Sequence, residues 1–320
     1  METQILQADA KSIEIAAALL GSGHLVALPT ETVYGLAADA CNEIAVAKIF
    51  EVKQRPEFNP LIAHVIDYEA AKELVKMTPL AKELMAAFWP GALTLVLQRK
   101  ENCPVAKLAS AGLSTLAIRA PKGEVARAVL QKLGRPFVAP SANPSGRLSP
   151  TKANHVADML AGKIPLILDD GPCRIGVEST IIRADGERPI LLRAGGLSVE
   201  DIETVTGPLI DGTAPSSDKS GIGKELPHAP GALASHYAPQ APLRLNALNA
   251  EPDEGLLGFG NIKGDMNLSP SGDLTEAAAN LFSCLHEMDQ RFAKIAVARI
   301  PEVHLGRAIN DRLTRAAHKD

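Results

Sequence analysis

The sequence predicts a mixed α/β fold built on a twisted sheet, followed by a smaller, Rossmann-like α/β unit at the C-terminal end. Three observations predict it. Apolar strand-like runs alternate with helix-patterned segments over the first two-thirds of the 320 residues. Strands outnumber helices and several late ones follow one another directly, which favours a mixed over a purely parallel sheet. After about Thr206 the composition shifts to a long stretch rich in Gly, Pro and Ser, and a further β-α-β-α pattern follows it. The expected organisation is therefore 1–206 as one domain, 207–242 as a linker or lid, and 243–320 as a second domain.

Residues 12–22 carry a helical pattern, with Ser12 as the expected cap and Gly23 as the stop. HLVALP (24–29) reads as a short buried strand that delivers the loop PTETVYG (29–35). Asn42 caps the next helix, which ends near Lys53 because Pro56 disfavours helix before it. LIAHVI (61–66) reads as a strand, and Thr78-Pro79 starts a helix towards Trp89. LTLVLQR, STLAIRA, PFVAP, PLILDD, STIIRA and PILLRA are strand-like, with helices near 123–133 and 151–161. In the last section GLLGFGN and KIAVARIP read as strands, and helices fall at 273–291 and around GRAINDRLTRAA.

Hydrophobic residues make up 46% of the chain, enough for packed cores, but aromatics only 3%, so those cores rest on Ala, Leu, Ile and Val. The net charge of −4 argues against a broad nucleic-acid surface and leaves room for a small cationic pocket. Cys41, Cys103, Cys173 and Cys284 include no C-x-x-C pair, so neither a zinc site nor a disulfide framework is expected. The N-terminus lacks a signal-peptide pattern and no apolar run is long enough for a bilayer, so the expectation is a cytoplasmic protein with reduced thiols.

Four polar loops fall at predicted strand ends: PTETVYG (29–35), KQRPEFNP (53–60), SANPSGRLSPT (141–151) and GVEST (176–180). Strand ends are where α/β sheets bind ligands. Each loop also has an ordinary reading. Lys53 and Arg55 suit a helix end, where an exposed cation contributes about 0.3–1 kcal/mol. The Ser, Asn, Pro and Gly of the third loop are turn formers. His64 suits a core strand, Arg119 a strand end, and Tyr237 an anchored linker. No nucleophile elbow, metalloprotease helix or dinucleotide fingerprint is present. The inventory is cations, hydroxyls and amides, which suits positioning and charge neutralisation, as in phosphoryl or nucleotidyl transfer.

Taken together and in order, LPTETVYGLAADA, KQRPEFNPLIAHV, FWPGALTLVL, STLAIRAP, VAPSANPSGRLSPT, LDDGPCRIGVESTII and ILLRAGG resemble the Sua5/YrdC family, the L-threonylcarbamoyladenylate synthases. PGALASHYAP (230–239) and LGRAINDRL resemble the longer Sua5 branch. The resemblance implies a YrdC-like catalytic domain that joins L-threonine, bicarbonate or CO2 and ATP and releases pyrophosphate. Its product would feed N6-threonylcarbamoylation of an adenosine in tRNA through a downstream transferase machinery. It implies that Lys53, Arg55 and Asn59 meet the ATP phosphates, with Lys53 and Arg55 catalytic. Thr115, Ser141 and Ser149 would hydrogen-bond the nucleotide, Arg193 would add a cation, and Tyr237 would reach over the nucleotide. Thr32, His64, Arg119, Ala139 and Ser179 would surround threonine, with Arg119 on its carboxylate. Mg2+ would come with ATP and have few or no direct protein ligands. A related carbamoyltransferase would carry C-x-x-C modules, and an RNA-binding module would need clustered cations; neither pattern is found.

Overall fold

The computed structural model describes residues 2–213 and 237–318. The expected lid, PGALASHYAP, lies outside the described residues up to position 236. The chain begins with β1 (Gln4–Gln7), α1 (Ala10–Gly21), β2 (Val26–Leu28), β3 (Gly35–Asp39), α2 (Glu43–Lys53) and β4 (Ile62–His64). It continues through α3 (Tyr68–Leu74), α4 (Pro79–Phe88), β5 (Leu93–Gln98), β6 (Thr115–Arg119), α5 (Glu124–Leu133) and β7 (Phe137–Val138). Then come α6 (Ala153–Leu160), β8 (Leu166–Asp169), β9 (Thr180–Arg183), β10 (Ile190–Arg193), α7 (Val199–Thr206) and β11 (Ile210–Asp211). The last section holds β12 (Leu243–Ala247), β13 (Glu254–Gly258), β14 (Met266–Asn267), α8 (Leu274–Arg291), β15 (Lys294–Ala298) and α9 (Leu305–Ala317).

Several elements start where local chemistry dictates. Asn42 accepts from Ala45 N at 3.1 Å and Thr78 from Ala81 N at 3.0 Å, so both expected caps are in place. The cap of α1 is Asp9 rather than Ser12. Asp9 Oδ1 accepts from Ser12 N at 2.8 Å while Ser12 Oγ accepts from Asp9 N at 2.9 Å, a reciprocal capping box. β1 and β3 were not expected. β3 is GLAAD, poor in β-formers, and takes its strand form from burial on both faces between β2 and β7.

The large sheet has the order β1-β8-β2-β3-β7-β4-β6-β5-β9-β10-β11 and mixes parallel with antiparallel pairs. Strand alternation assigns its two faces. On one, Leu36, Ala38, Ala63, Leu95, Ile118 and Ile182 join a continuous core with α2, α4 and α6. On the other, Val26, Leu28, Ala37 and Phe137 pack against Leu20 of α1 and Val129 of α5. That helical cover stops at β7. Beyond it, Ile62, Val96, Ala117, Ile181 and Leu192 form a small cluster made of strand residues only. Among the described residues no helix contributes to this cluster, so the β4-β6-β5-β9-β10 face is left uncovered by helices, and this face positions the site.

The C-terminal unit is a four-stranded parallel sheet in the order β12-β15-β13-β14. Its core contains Leu281 and Phe282 of α8 and Leu313 of α9, together with Val33, Leu148, Val177 and Tyr237 from beyond that unit. The contact is close. A Cβ on Gly176, whose φ is +79, would lie 2.3 Å from the carbonyl oxygen of Ala278 in α8.

Candidate active site

Partners across the open face set the first part of the site. In the parallel pair β4–β6, Ile62 faces Ala117 and His64 faces Arg119. Thr115, Ala117 and Arg119 therefore share the uncovered face with Ile62 and His64. Regular alternation would put Leu192 and Arg193 on opposite faces, yet both reach this one. The register of β10 shifts between Leu191 and Arg193, and the bulge re-aims the arginine.

A single cavity results. Thr32, His64, Arg119, Ala139 and Ser179 line it, and so do Arg55, Ser141, Glu178, Arg193 and Tyr237. All five residues expected around threonine and four of those expected around the nucleotide thus meet at one place. Lys53, Asn59, Thr115 and Ser149 do not line the cavity and sit behind its wall.

On the first side, Arg119 arrives already paired. It donates through Nη2 to Glu31 Oε1 at 2.6 Å, through Nη1 to Thr32 Oγ1 at 3.0 Å and through Nε to Gly91 O at 3.1 Å. A guanidinium has five N–H groups, so two remain for a ligand. Glu31 Oε2 also accepts from Gly123 N at 2.9 Å. Burial alone would raise the Glu31 carboxyl, but the charge and hydrogen bond of Arg119 together with backbone N–H bonds bring it down to about 2. Ser179 Oγ lies 2.7 Å from Thr94 Oγ1, and Ala139 N donates to Ile62 O at 3.2 Å.

His64 stacks on Phe137 with centroids 5.3 Å apart, and its Nδ1 is 3.1 Å from Ile62 O. Burial, reinforced by Arg119, drops its pKa to about 3. The ring is therefore neutral at physiological pH and acts as a wall. Burial also lowers His155 to about 3 and lowers His286, with which it stacks at 4.1 Å. Histidines with depressed pKa values bind protons in the unfolded chain first. Stability is then full above about pH 6.5 and falls as acid is added, by about 1.4 kcal/mol per pH unit for each of His64 and His155 down to about pH 3, with His286 acting in the same direction. Glu31 adds to the loss from about pH 4.5 down to 2. Urea midpoints at neutral pH and at about pH 5 should show this decline, and equal midpoints would refute it.

The second side is cationic. Lys53, the last residue of α2, is buried and donates Nζ to Ser141 O at 2.5 Å and to Asn143 O. Its own carbonyl accepts from Ser145 N at 2.8 Å, so the SANPSG loop is fastened to the helix end. Asn143 Nδ2 holds the loop's far side through Pro144 O and Arg147 O. Burial, reinforced by Arg55, drives the Lys53 ammonium well below its usual value. Gln54 in the left-handed region ends α2, and Arg55 beyond it turns inward. Arg55 is buried, not at an exposed helix end as the sequence suggested. It donates Nη2 to Asn59 Oδ1 at 2.6 Å and to Pro60 O at 2.9 Å, and Nε to Asn59 O at 3.0 Å. Burial lowers Arg55 to about 10. Neither Lys53 nor Arg55 forms an ion pair with a carboxylate among the described residues. Asn59 Nδ2 is buried there without a hydrogen-bond partner.

Arg193 donates through Nε and Nη2 to Ser179 O at 3.2 and 2.8 Å, joining the two sides. The turn after it is tightly fitted. A Cβ on Gly195 would lie 2.3 Å from Glu178 O and 2.4 Å from Thr180 N, so only glycine lets ILLRAGG pass over GVEST.

Sequence reading did not single out Glu31, Asn143 or Arg312. Each is polar and almost fully buried; Glu31 and Arg312 pair with Arg119 and Glu178, 88 and 134 positions away, whereas Asn143 holds its own loop through Pro144 O and Arg147 O, a role that its turn-forming composition does not distinguish. Among the described residues, no group of three His, Cys, Asp or Glu side chains could hold a metal ion, and no helix is long and apolar enough to cross a membrane.

Comparison with known proteins matches residues 18–195 to a family profile described as "Telomere recombination", and residues 197–318 to one described as "Threonylcarbamoyl-AMP synthase, C-terminal domain". The chain is 40% identical to a Bacillus subtilis threonylcarbamoyl-AMP synthase, over 98% of this chain and 95% of the relative. It is also 40% identical to the Pyrococcus abyssi threonylcarbamoyl-AMP synthase, over 95% and 94%. The crystal structure of P. abyssi Sua5 complexed with L-threonine superposes with a TM-score of 0.88 at 38% identity and covers 98% of both chains. Escherichia coli YciO, at 21% identity and a TM-score of 0.57 over 62% of this chain, shares the fold.

Proposed function

This chain belongs to the Sua5/YrdC family of threonylcarbamoyl-AMP synthases, and from that premise we propose that it makes L-threonylcarbamoyl-AMP from L-threonine, bicarbonate or CO2, and ATP, releasing pyrophosphate. The observation that carries the reading is the division of one cavity. A hydroxyl- and arginine-lined side (Thr32, Arg119, Ser179) meets a side walled by Arg55 and backed by the buried Lys53, two cations that have no carboxylate partner among the described residues. Buried cations of this kind are costly until an anion meets them, and a triphosphate supplies it.

In this reading, threonine's carboxylate takes the two remaining N–H groups of Arg119, and its hydroxyl lies among Thr32, His64 and Ser179. The amine forms a carbamate with CO2 and loses a proton. A carbamate oxygen then attacks the α-phosphorus, an O–P bond forms, and the bond to the β-phosphate oxygen breaks with its electrons leaving on pyrophosphate. Arg55 and Arg193 face the phosphates and Ser141 faces the nucleotide, while Asn59 holds the Arg55 guanidinium from behind the wall. Lys53 acts from behind, holding the 141–147 loop and adding positive potential. Thr115 and Ser149 serve the nucleotide side through the wall rather than from the cavity surface. Tyr237 closes the cavity's end, and the walls exclude water from a labile carbamate and mixed anhydride. Glu31 and Glu178 are each engaged by an arginine, so the donor set fits Mg2+ held by substrate phosphates and water rather than by the protein. So bound, Mg2+ would neutralise phosphate charge. The product would pass to a downstream tRNA-modifying transferase, and the net charge of −4 supports no stable tRNA complex of this chain's own.

The test is an omission series. Pyrophosphate release should require ATP, L-threonine and bicarbonate together. Release that persists without threonine or bicarbonate would overturn the proposal.

A further inference from the structure

One side chain of the C-terminal unit reaches the wall of the cleft. Arg312 of α9 is fully buried. Its Nε donates to Glu178 Oε2 at 2.7 Å and its Nη1 to Asp311 Oδ2 at 2.5 Å. Its guanidinium carbon lies 5.0 Å from the centroid of the Tyr237 ring, which in turn packs on Phe282 of α8 at 5.8 Å. The other carboxylate oxygen of Glu178 accepts from Ser149 Oγ at 2.5 Å. Glu178 and Tyr237 line the cavity, whereas Arg312 does not. It touches two wall residues from behind.

We propose that Arg312 is a positioning residue: it holds the Glu178 carboxylate back from the cleft cations, so that these stay available to the phosphates, and it supports the Tyr237 ring at the cavity's end. The inference rests on the function proposed above and deepens it.

Three points favour this over simple adhesion between the two units. Adhesion is already provided by apolar contact, since Val33, Leu148 and Val177 share a core with Leu281 and Phe282. A buried ion pair is a poor adhesive, because its desolvation offsets its attraction and a well-packed apolar pair holds at least as well. What an ion pair adds is direction, and the direction here is specific. Glu178 couples electrostatically to Arg312 most strongly, then to Arg193, and it also acts on Lys53. Among the described residues it is the one carboxylate that lines a cavity whose proposed work is to receive phosphate. Left without Arg312, it would be drawn to those cations and compete with the ligand. Ser149 on its other oxygen and Arg312 on the nearer one fix it in the retracted position.

The test is a cycle on the full chain with Arg312→Met, Glu178→Gln and the double variant, reading ATP affinity by calorimetry and KM and kcat separately. Arg312→Met should weaken ATP binding by about tenfold or more, roughly the effect of one lost charge interaction. L-threonine affinity should change by less than about threefold, because that side is set by Arg119 and Glu31. The distinguishing result is suppression. Removing the competing carboxylate should make the double variant bind ATP better than Arg312→Met alone. If Arg312→Met does not fold, Arg312→Lys, which keeps the charge without the fork, carries the test, with a smaller loss that Glu178→Gln again relieves. ATP affinity equal to wild type in the Arg312 variant would overturn the inference, as would a double variant worse than either single. The functional reading fails separately. A wild-type chain that binds ATP but forms no adenylate would overturn the reading alone, and one that binds no ATP would overturn both.

Discussion

Arg55→Ala is expected to lower kcat/KM for ATP by about two to three orders of magnitude, the usual effect of losing one preorganised donor to developing charge. The cause is geometric. Three of its N–H bonds to Asn59 and Pro60 hold the guanidinium in the cavity wall, and no carboxylate among the described residues pairs with it. The same bonds shape the 59–60 turn, so the variant should also lose about 1–3 kcal/mol of stability, more than an exposed helix-end cation would cost. Urea unfolding beside steady-state kinetics separates the effects. The kinetic loss should persist at temperatures where the variant is fully folded. Normal turnover in a folded variant would make Arg55 a structural residue only.

Arg119→Met is expected to act on both stability and threonine. Glu31 would keep its place in the buried loop without its charge partner, and breaking such a pair costs about 3–5 kcal/mol. The double variant Glu31→Gln with Arg119→Met should regain much of that stability. Threonine affinity should not return with it, because the N–H groups proposed for its carboxylate are gone. Chemical denaturation and threonine calorimetry on the three variants make the comparison. Recovery of threonine binding together with stability would show that Arg119 serves the fold alone.

How much of this was legible in the sequence follows from where the partners lie. Loops that end strands could be read locally, because turn residues, caps and the Lys53–Pro60 joint are short-range features. Nine of the expected site residues line one cavity: strand periodicity brings His64 and Arg119 onto one face, and most of the others lie on loops at strand ends that could be read locally. The pairings could not be read. Arg119 and Glu31 are 88 positions apart, and Arg312 and Glu178 are 134 apart. Nothing local to Glu178 marks it as the neighbour of a helix in another unit. The depth of Arg55 and Lys53 was missed for a related reason. Composition shows a cation after a helix, but only the sheet order brings the 141–147 loop over it. β3 escaped because Gly-Leu-Ala-Ala-Asp has weak strand propensity and burial on both faces overrides it. The bulge that turns Arg193 into the cleft depends on pairing with β9, a relation that no run of residues displays.

In the proposed reaction one cavity joins threonine, a one-carbon unit and adenylate. The most direct measurement is the mass of the adenylate formed from ATP and L-threonine with carbon-13 bicarbonate. The expected product is a threonylcarbamoyl-adenylate heavier by the single labelled carbon, with none formed when threonine is omitted. An adenylate without that carbon, such as threonyl-adenylate, or ATP cleavage without any threonine adduct, would contradict it.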